Sequence, residues 1–203
     1  MIFASSGVSL GAIALAGGKS SRMATDKALL EINGKPLLQK VCEVAQACGA
    51  NPILVITPWQ KKYKFLNLPL ESKFIHEPAP QSPLSGFTLG LSNLKTDWVL
   101  LLACDLPQLK SDVIQAWSQN LANLPSQAIA FLPKHSKGWE PLCGFYRCSC
   151  LESLESYRQK GKYSFQDWLY ASRVIEIPHV DPEMLFNCNT PTEYAQVKNT
   201  FNK

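Results

Sequence analysis

Two adjacent glycines, Gly17 and Gly18, follow an apolar run, and hydroxyl and basic residues crowd in behind them: Lys19, Ser20, Ser21, Arg22, Thr25 and Lys27. Glycine has no Cβ, so successive backbone N–H groups at such a turn can close on an anion without a side chain in the way. Serine hydroxyls add donors, and the guanidinium of Arg22 and the ammonium of Lys27 can spread charge over a triphosphate. The spacing is not that of a P-loop, which needs G-x-x-x-x-G-K-[ST], nor that of the G-x-G-x-x-G dinucleotide fingerprint. A glycine pair alone is an ordinary turn with a solvated basic tip. The residues around this one shift the reading toward a polyphosphate.

Asp105 follows the most apolar stretch of the chain, Trp98 to Leu102, and precedes Leu106-Pro107. A carboxylate at the carboxyl end of a buried strand is a natural ligand for Mg²⁺, which takes one or two carboxylates together with phosphate oxygens and water. By itself it is equally a turn-capping Asp before proline. Asn189, in Asn187-Cys188-Asn189-Thr190-Pro191, reads both as an amide oxygen for a metal or an acceptor and as part of a helix start, with Thr190 on the helix-start side. His76, His135 and His179 are dispersed and have no nucleophilic triad around them.

These residues need a frame. Val8 to Leu15, Ile53 to Ile56, Lys73 to His76 and Trp98 to Leu102 are short apolar runs bounded by breakers, which predicts strands. Apolar residues at helical spacing predict helices over Leu37 to Cys48, Leu84 to Leu94 and Ser111 to Leu121, with a short one over Trp59 to Leu66. Further on, strands are expected near Ala128 to Leu132, Leu142 to Tyr146 and Val174 to Ile177. Helices are expected at Leu151 to Tyr157, around Ser164 to Leu169, and at Glu193 to Asn199. Alternating strands and helices imply a mainly parallel sheet covered on both faces, with ligands at the carboxyl ends of the strands. No repeat or low-complexity linker divides the chain. The expectation is therefore one domain over 1–203, with a nucleotide-binding half at about 8–110 and an acceptor-binding half at about 111–203.

Composition narrows the partners. A net charge of +4 on 203 residues suits a phosphate-bearing small ligand but is too small and too scattered for nucleic acid. Trp59 to Lys64 mixes bases and aromatics, which fits a surface helix with buried rings better than an RNA contact. No apolar run reaches bilayer length, and Met1 to Gly18 lacks the basic start and cleavage site of a secretory signal. Seven cysteines, without metal-site spacing, suit reduced thiols in the cytoplasm.

The loop read as a whole, L-A-G-G-x-S-x-R-M-x-x-D-K, resembles the signature of the molybdenum cofactor guanylyltransferases, within the wider Rossmann-like nucleotidyltransferases. The resemblance continues through Asn33-Gly34-Lys35-Pro36-Leu37, Ser82-Pro83-Leu84-Ser85-Gly86, Cys104-Asp105-Leu106-Pro107 and the block at Asn187 to Pro191, so it spans nearly the whole chain. It implies a three-layer α/β/α sandwich and the transfer of GMP from GTP to the phosphate of molybdopterin, giving a guanine dinucleotide and pyrophosphate. Backbone groups of Leu15, Ala16 and Gly17 are then expected to face guanine, with Thr57 and Glu77 at positions similar to further GTP contacts. Gly17, Gly18 and Arg22 are expected to hold phosphates, Lys27 to neutralise the α-phosphate, Asp105 to carry Mg²⁺, and Asn189 to serve metal or acceptor. Glu77 stands where the family often has Asp.

The same resemblance makes other molybdenum cofactor biosynthesis proteins and acceptor molybdoenzymes the candidate partners. Relatives that transfer CMP carry L-A-A-G, so Gly17 is read as leaving room beside the base for guanine's amino group. Ala24 departs from the family's Gly; if that position needs positive φ, Ala strains the loop. Two rivals stay open: the same fold serving another base or acceptor, such as CTP with molybdopterin, and a non-catalytic nucleotide or pterin carrier. On the acceptor side, Glu140 to Tyr146 resembles the family's central segment, while Arg158, Lys160 and Lys162 read as a solvated helix end.

Overall fold

The computed structural model describes residues 7–18 and 25–201. In chain order the elements are β1 (Leu10–Leu15), β2 (Glu31–Ile32), β3 (Lys35–Pro36), α1 (Leu37–Ala47), β4 (Ile53–Thr57), α2 (Gln60–Tyr63), β5 (Ser72–His76), α3 (Pro83–Leu91) and β6 (Trp98–Ala103). They continue with α4 (Ser111–Ser118), β7 (Ala130–His135), β8 (Gly138–Trp139), β9 (Cys143–Arg147), α5 (Leu151–Gln159), α6 (Phe165–Tyr170), β10 (Val174–Ile177) and α7 (Pro191–Phe201).

The main sheet runs β10-β7-β9-β6-β1-β4-β5, with β8 paired to β7 beside that path. β5, β4, β1 and β6 are mutually parallel, β10 is parallel to β7, and β9 lies antiparallel to both β6 and β7. A mainly parallel sheet is thus present, with β9 reversed inside it and β8 reversed beside β7.

Alternation along each central strand divides its side chains between two cores. Ala12 and Ala14 of β1, Ile53 and Val55 of β4, and Leu100 and Leu102 of β6 join one core with Leu38 and Val41 of α1, Ile114 of α4 and Val197 of α7. Ile13, Leu54, Ile56, Val99 and Leu101 point the other way, onto Leu84 and Phe87 of α3, Leu154 of α5 and Trp168 of α6. Two buried faces explain why these strands read as unbroken apolar runs. They also make the three layers the sequence implied.

The differences are local. The helix expected over Trp59 to Leu66 shrinks to Gln60–Tyr63, and the one over Ser111 to Leu121 ends at Ser118 before a separate turn at Leu121–Asn123. Asn33-Gly34 is the turn of a small β2–β3 hairpin, with φ of 54° and 71° at its two residues. All seven cysteines are free thiols.

Strand order reverses at β1, since the chain moves from β1 to β4 and β5 on one side and then crosses to β6 on the other. Loops leaving β1 and β6 therefore diverge, and the crevice between them is the usual ligand position of an open α/β sheet.

Candidate active site

A cavity of about 470 Å³ opens at that crevice, within the ordinary range of small-molecule sites. Its walls include Leu15, Ala16, Gly17, Gly18, Lys27, Glu77 and Asp105, so seven expected residues come together. The Ala16 N–H donates to the Ile56 carbonyl at 2.9 Å, continuing the β1–β4 ladder one residue past the strand. Across the crevice the buried Cys104 thiol donates to the Leu15 carbonyl at 2.9 Å, tying the two diverging loops at their roots. Arg22 and Ala24, with Lys19 to Ser21, lie outside the described residues.

Lys27 begins a short 3-10 turn, Lys27–Leu29, capped by Asp26, whose Oδ1 accepts the Ala28 N–H at 3.2 Å. Its ammonium donates to Asn189 Oδ1 at 2.5 Å and stands 3.5 Å from Asp105 Oδ2. The Asp105 carbonyl in turn accepts the Cys188 N–H at 2.8 Å. Burial pushes the Asp105 carboxyl above its ordinary range, and Lys27 pulls it back. Asp105 Oδ1 is buried and has no hydrogen-bond partner among the described residues. An anionic oxygen left so is costly unless something cationic meets it.

That orphaned oxygen fits a divalent cation. No group of three or more His, Cys, Asp or Glu side chains gathers as a metal cluster among the described residues. One carboxylate suffices for Mg²⁺ when the substrate's phosphates supply the remaining ligands.

Asn189, expected to offer its amide oxygen to a metal or acceptor, accepts a hydrogen bond from Lys27 with that oxygen, so the side chain also fixes the lysine. The helix-start reading holds beside it. Thr190 Oγ1 accepts the Glu193 N–H at 3.2 Å, while Glu193 Oε2 accepts the Asn189 N–H at 2.8 Å and the Thr190 hydroxyl at 3.0 Å. Asn189 and Thr190 thus seat Lys27 and cap α7 from adjacent positions.

Glu77 lies just past β5 and is only 7% exposed. Its N–H donates to the Thr57 carbonyl at 3.1 Å, and its Oε1 accepts the Ser85 hydroxyl at 3.4 Å. Burial raises its carboxyl above the usual range, with the Ser85 bond and the Arg158 charge opposing. Two glycines make its seat. A Cβ on Gly17 would stand 3.1 Å from Glu77 Oε2, and one on Gly86 would stand 3.4 Å from both carboxylate oxygens and 3.2 Å from Leu15 Cδ2. The room beside Gly17 is thus room for Glu77, and only through it for a base.

Thr57 is not on the cavity wall. It is fully buried, and its Oγ1 accepts the Trp59 N–H at 3.1 Å, the strand-end role open to any hydroxyl there. The site also has members that no motif singles out: Asp26, Ser82 and Gly86 all line the cavity. Ser82 caps α3 in a reciprocal bond pair with Ser85, with Pro83 at the first helical position. Each sits in a motif quoted above, but nothing in the spacing marks which residue of the motif faces inward.

Among the described residues the chemistry on offer suits a bound polyphosphate. The site has glycine backbone at one strand end, an ammonium beside a buried carboxylate, and a second buried carboxylate set apart.

Residues 12–174 match the MobA-like NTP transferase domain family. The chain is 52% identical over 194 residues to a Nostoc protein named "Probable molybdenum cofactor guanylyltransferase", covering 95% of this chain and 92% of that one. It is 39% identical to a Synechococcus elongatus protein of the same name, covering 92% and 97%. The fold is similar to that of molybdopterin-guanine dinucleotide biosynthesis protein A from Archaeoglobus fulgidus, with a TM-score of 0.75, 22% identity, and coverage of 95% and 98%.

Proposed function

Because the chain belongs to the MobA-like NTP transferases and, within them, to the molybdenum cofactor guanylyltransferases, we propose that it transfers GMP from GTP to the terminal phosphate of molybdopterin, through the cavity between β1 and β6. An acceptor phosphate oxygen forms a bond to the α-phosphorus of GTP, the bond from that phosphorus to the bridging oxygen of the β-phosphate breaks, and pyrophosphate leaves with the electron pair. A phosphate nucleophile is already ionised, so no strong base is required, and catalysis rests on positioning and charge. This accords with the absence of a His at the described cavity wall.

The observation that carries the reading is the Lys27–Asp105–Asn189 group at the strand ends. Lys27, held at a fixed height by Asn189, stabilises charge at the α-phosphate. Gly17 and Gly18 admit the polyphosphate, and Arg22 is assigned to the same phosphates. Asp105 Oδ1 would hold Mg²⁺, which when bound offsets phosphate charge. Glu77 accepts hydrogen bonds from the ring N–H and amino group of guanine, two donors that cytosine does not present together. Leu15 and Ala16 supply backbone to the base. We assign nucleotide binding to the half at about 8–110 and acceptor binding to the half at about 111–203.

No helix among the described residues is long and apolar enough to cross a membrane. We place the protein in the cytoplasm, delivering its product to molybdoenzymes or to other proteins of cofactor biosynthesis, with no nucleic-acid partner.

The test is pyrophosphate release with molybdopterin, Mg²⁺ and each of GTP, CTP, ATP and UTP, with the product identified by mass. GTP alone should give the dinucleotide, and Lys27→Ala and Asp105→Ala should each abolish it. Use of CTP alone would overturn the assignment of the base, and no turnover with any nucleotide would favour a carrier.

A further inference from the structure

Tyr63, the last residue of α2, is fully buried, and its ring packs in the core that holds β1 and β4. Its hydroxyl lies 2.8 Å from Asp26 Oδ2 and 3.5 Å from the Ala16 carbonyl oxygen. Ala16 and Asp26 flank, in sequence, the segment that carries the glycines and Arg22.

The direction of each bond follows from what each group can do. An ionised carboxylate only accepts, so Tyr63 donates its one proton to Asp26, and the Ala16 carbonyl at the longer distance is a weak second acceptor. The strong link is therefore the one from the buried Tyr63 hydroxyl to Asp26 Oδ2, at 2.8 Å.

Asp26 is also where the other contacts converge. Its Oδ1 accepts the Ala28 N–H at 3.2 Å, which sets the turn that starts at Lys27. Lys62 Nζ stands 3.6 Å from Oδ2, over the Trp59 ring at 4.7 Å. A carboxylate with fixed partners on both oxygens holds the backbone on either side of it, and Lys27 is the next residue.

We propose that Tyr63 is a positioning residue of the nucleotide site: its hydroxyl ties the buried end of α2 to Asp26, and so fixes the backbone from which Lys27 reaches the reacting phosphate. The proposal rests on the reading of this cavity as the nucleotide site. It gives the four-residue α2 a task, since the helix brings Tyr63 and Lys62 to one carboxylate.

Tyr63→Phe keeps the buried ring and removes only the link. Calorimetric titration with GTP should show binding roughly tenfold weaker, while the KM for the acceptor and the melting temperature stay close to those of the parent chain. Asp26→Asn should show a similar loss. The double variant should lose little more than either single one, because both changes break the same connection. A Tyr63→Phe protein that binds GTP as the parent does, or losses that add in full, would overturn the proposal. So would a loss of melting temperature that accounts for the whole effect. If the parent chain bound another nucleotide and not GTP, the proposed function would fail, yet the same cycle run with that nucleotide would still decide the role of Tyr63.

Discussion

Replacing Glu77 by Gln tests the base-recognition argument at one atom. The side chain keeps its shape, so Gly17, Gly86 and Ser85 keep their contacts; what changes is the charge and one acceptor, which becomes an amide donor. Glu77 is buried, and among the described residues its carboxylate accepts one long hydrogen bond, of 3.4 Å from Ser85. Its ionised form is therefore poorly compensated in the free protein. Two hydrogen bonds from guanine to a carboxylate contribute about 1.5–3 kcal/mol each. Loss of one of them, together with a donor facing a donor, should weaken GTP binding by roughly two orders of magnitude.

The free protein should respond in the opposite sense. Burial raises the Glu77 carboxyl, so the folded state holds its proton to higher pH than the unfolded chain does. The ionised group thus costs stability above its folded pKa, and that cost is absent below the ordinary glutamate value of about 4.3. The glutamine variant should accordingly melt slightly higher at neutral pH, by about 2–4 °C for each kcal/mol relieved in a chain of this size. That advantage should close as pH falls. GTP affinity of the parent should decline as pH drops through the raised pKa, and the glutamine variant should lack this acid limb. Calorimetry and thermal melts from pH 5 to 8 measure all of this. An unchanged GTP affinity in the variant at neutral pH, or a melting temperature lower at every pH, would refute the reasoning.

Gly17→Ala brings a methyl to 3.1 Å from Glu77 Oε2 without needing a positive φ, so GTP affinity should fall about tenfold and CTP affinity less, as read by nucleotide competition. Thr190→Ala removes the α7 cap at Glu193 and should cost about 1 kcal/mol by denaturant melts, with the GTP titration still showing binding through Lys27.

The strands were legible because burial on both faces leaves a simple mark. β4 and β6 are buried at every position, and every one of those positions except Thr57 is apolar. Helix ends were less legible where side chains set them: Ser82 and Ser164 cap α3 and α6 by bonds that hydrophobic spacing does not record. The β2–β3 hairpin escaped notice although Asn33-Gly34 is a strong turn pair, because two-residue strands are too short to alternate.

In the site, Gly17, Gly18, Lys27 and Asp105 could be found because each lies in a dense local motif at a strand end. Thr57 ends β4, but a sequence shows that a hydroxyl ends a strand, not which way it turns. Asp26 and Tyr63 stand 37 residues apart, and neither sits in a pattern that names the other. Contacts of that kind belong to the fold.

One bond in the site joins residues 162 positions apart, from Lys27 to Asn189. Synthesis proceeds from the N-terminus, so β1, β4 and β6 can assemble a nucleotide crevice long before Asn189 has been made. The Asn189 hold on Lys27 forms only once the start of α7 is in place. The crevice thus takes shape before the contact that sets the lysine's height within it.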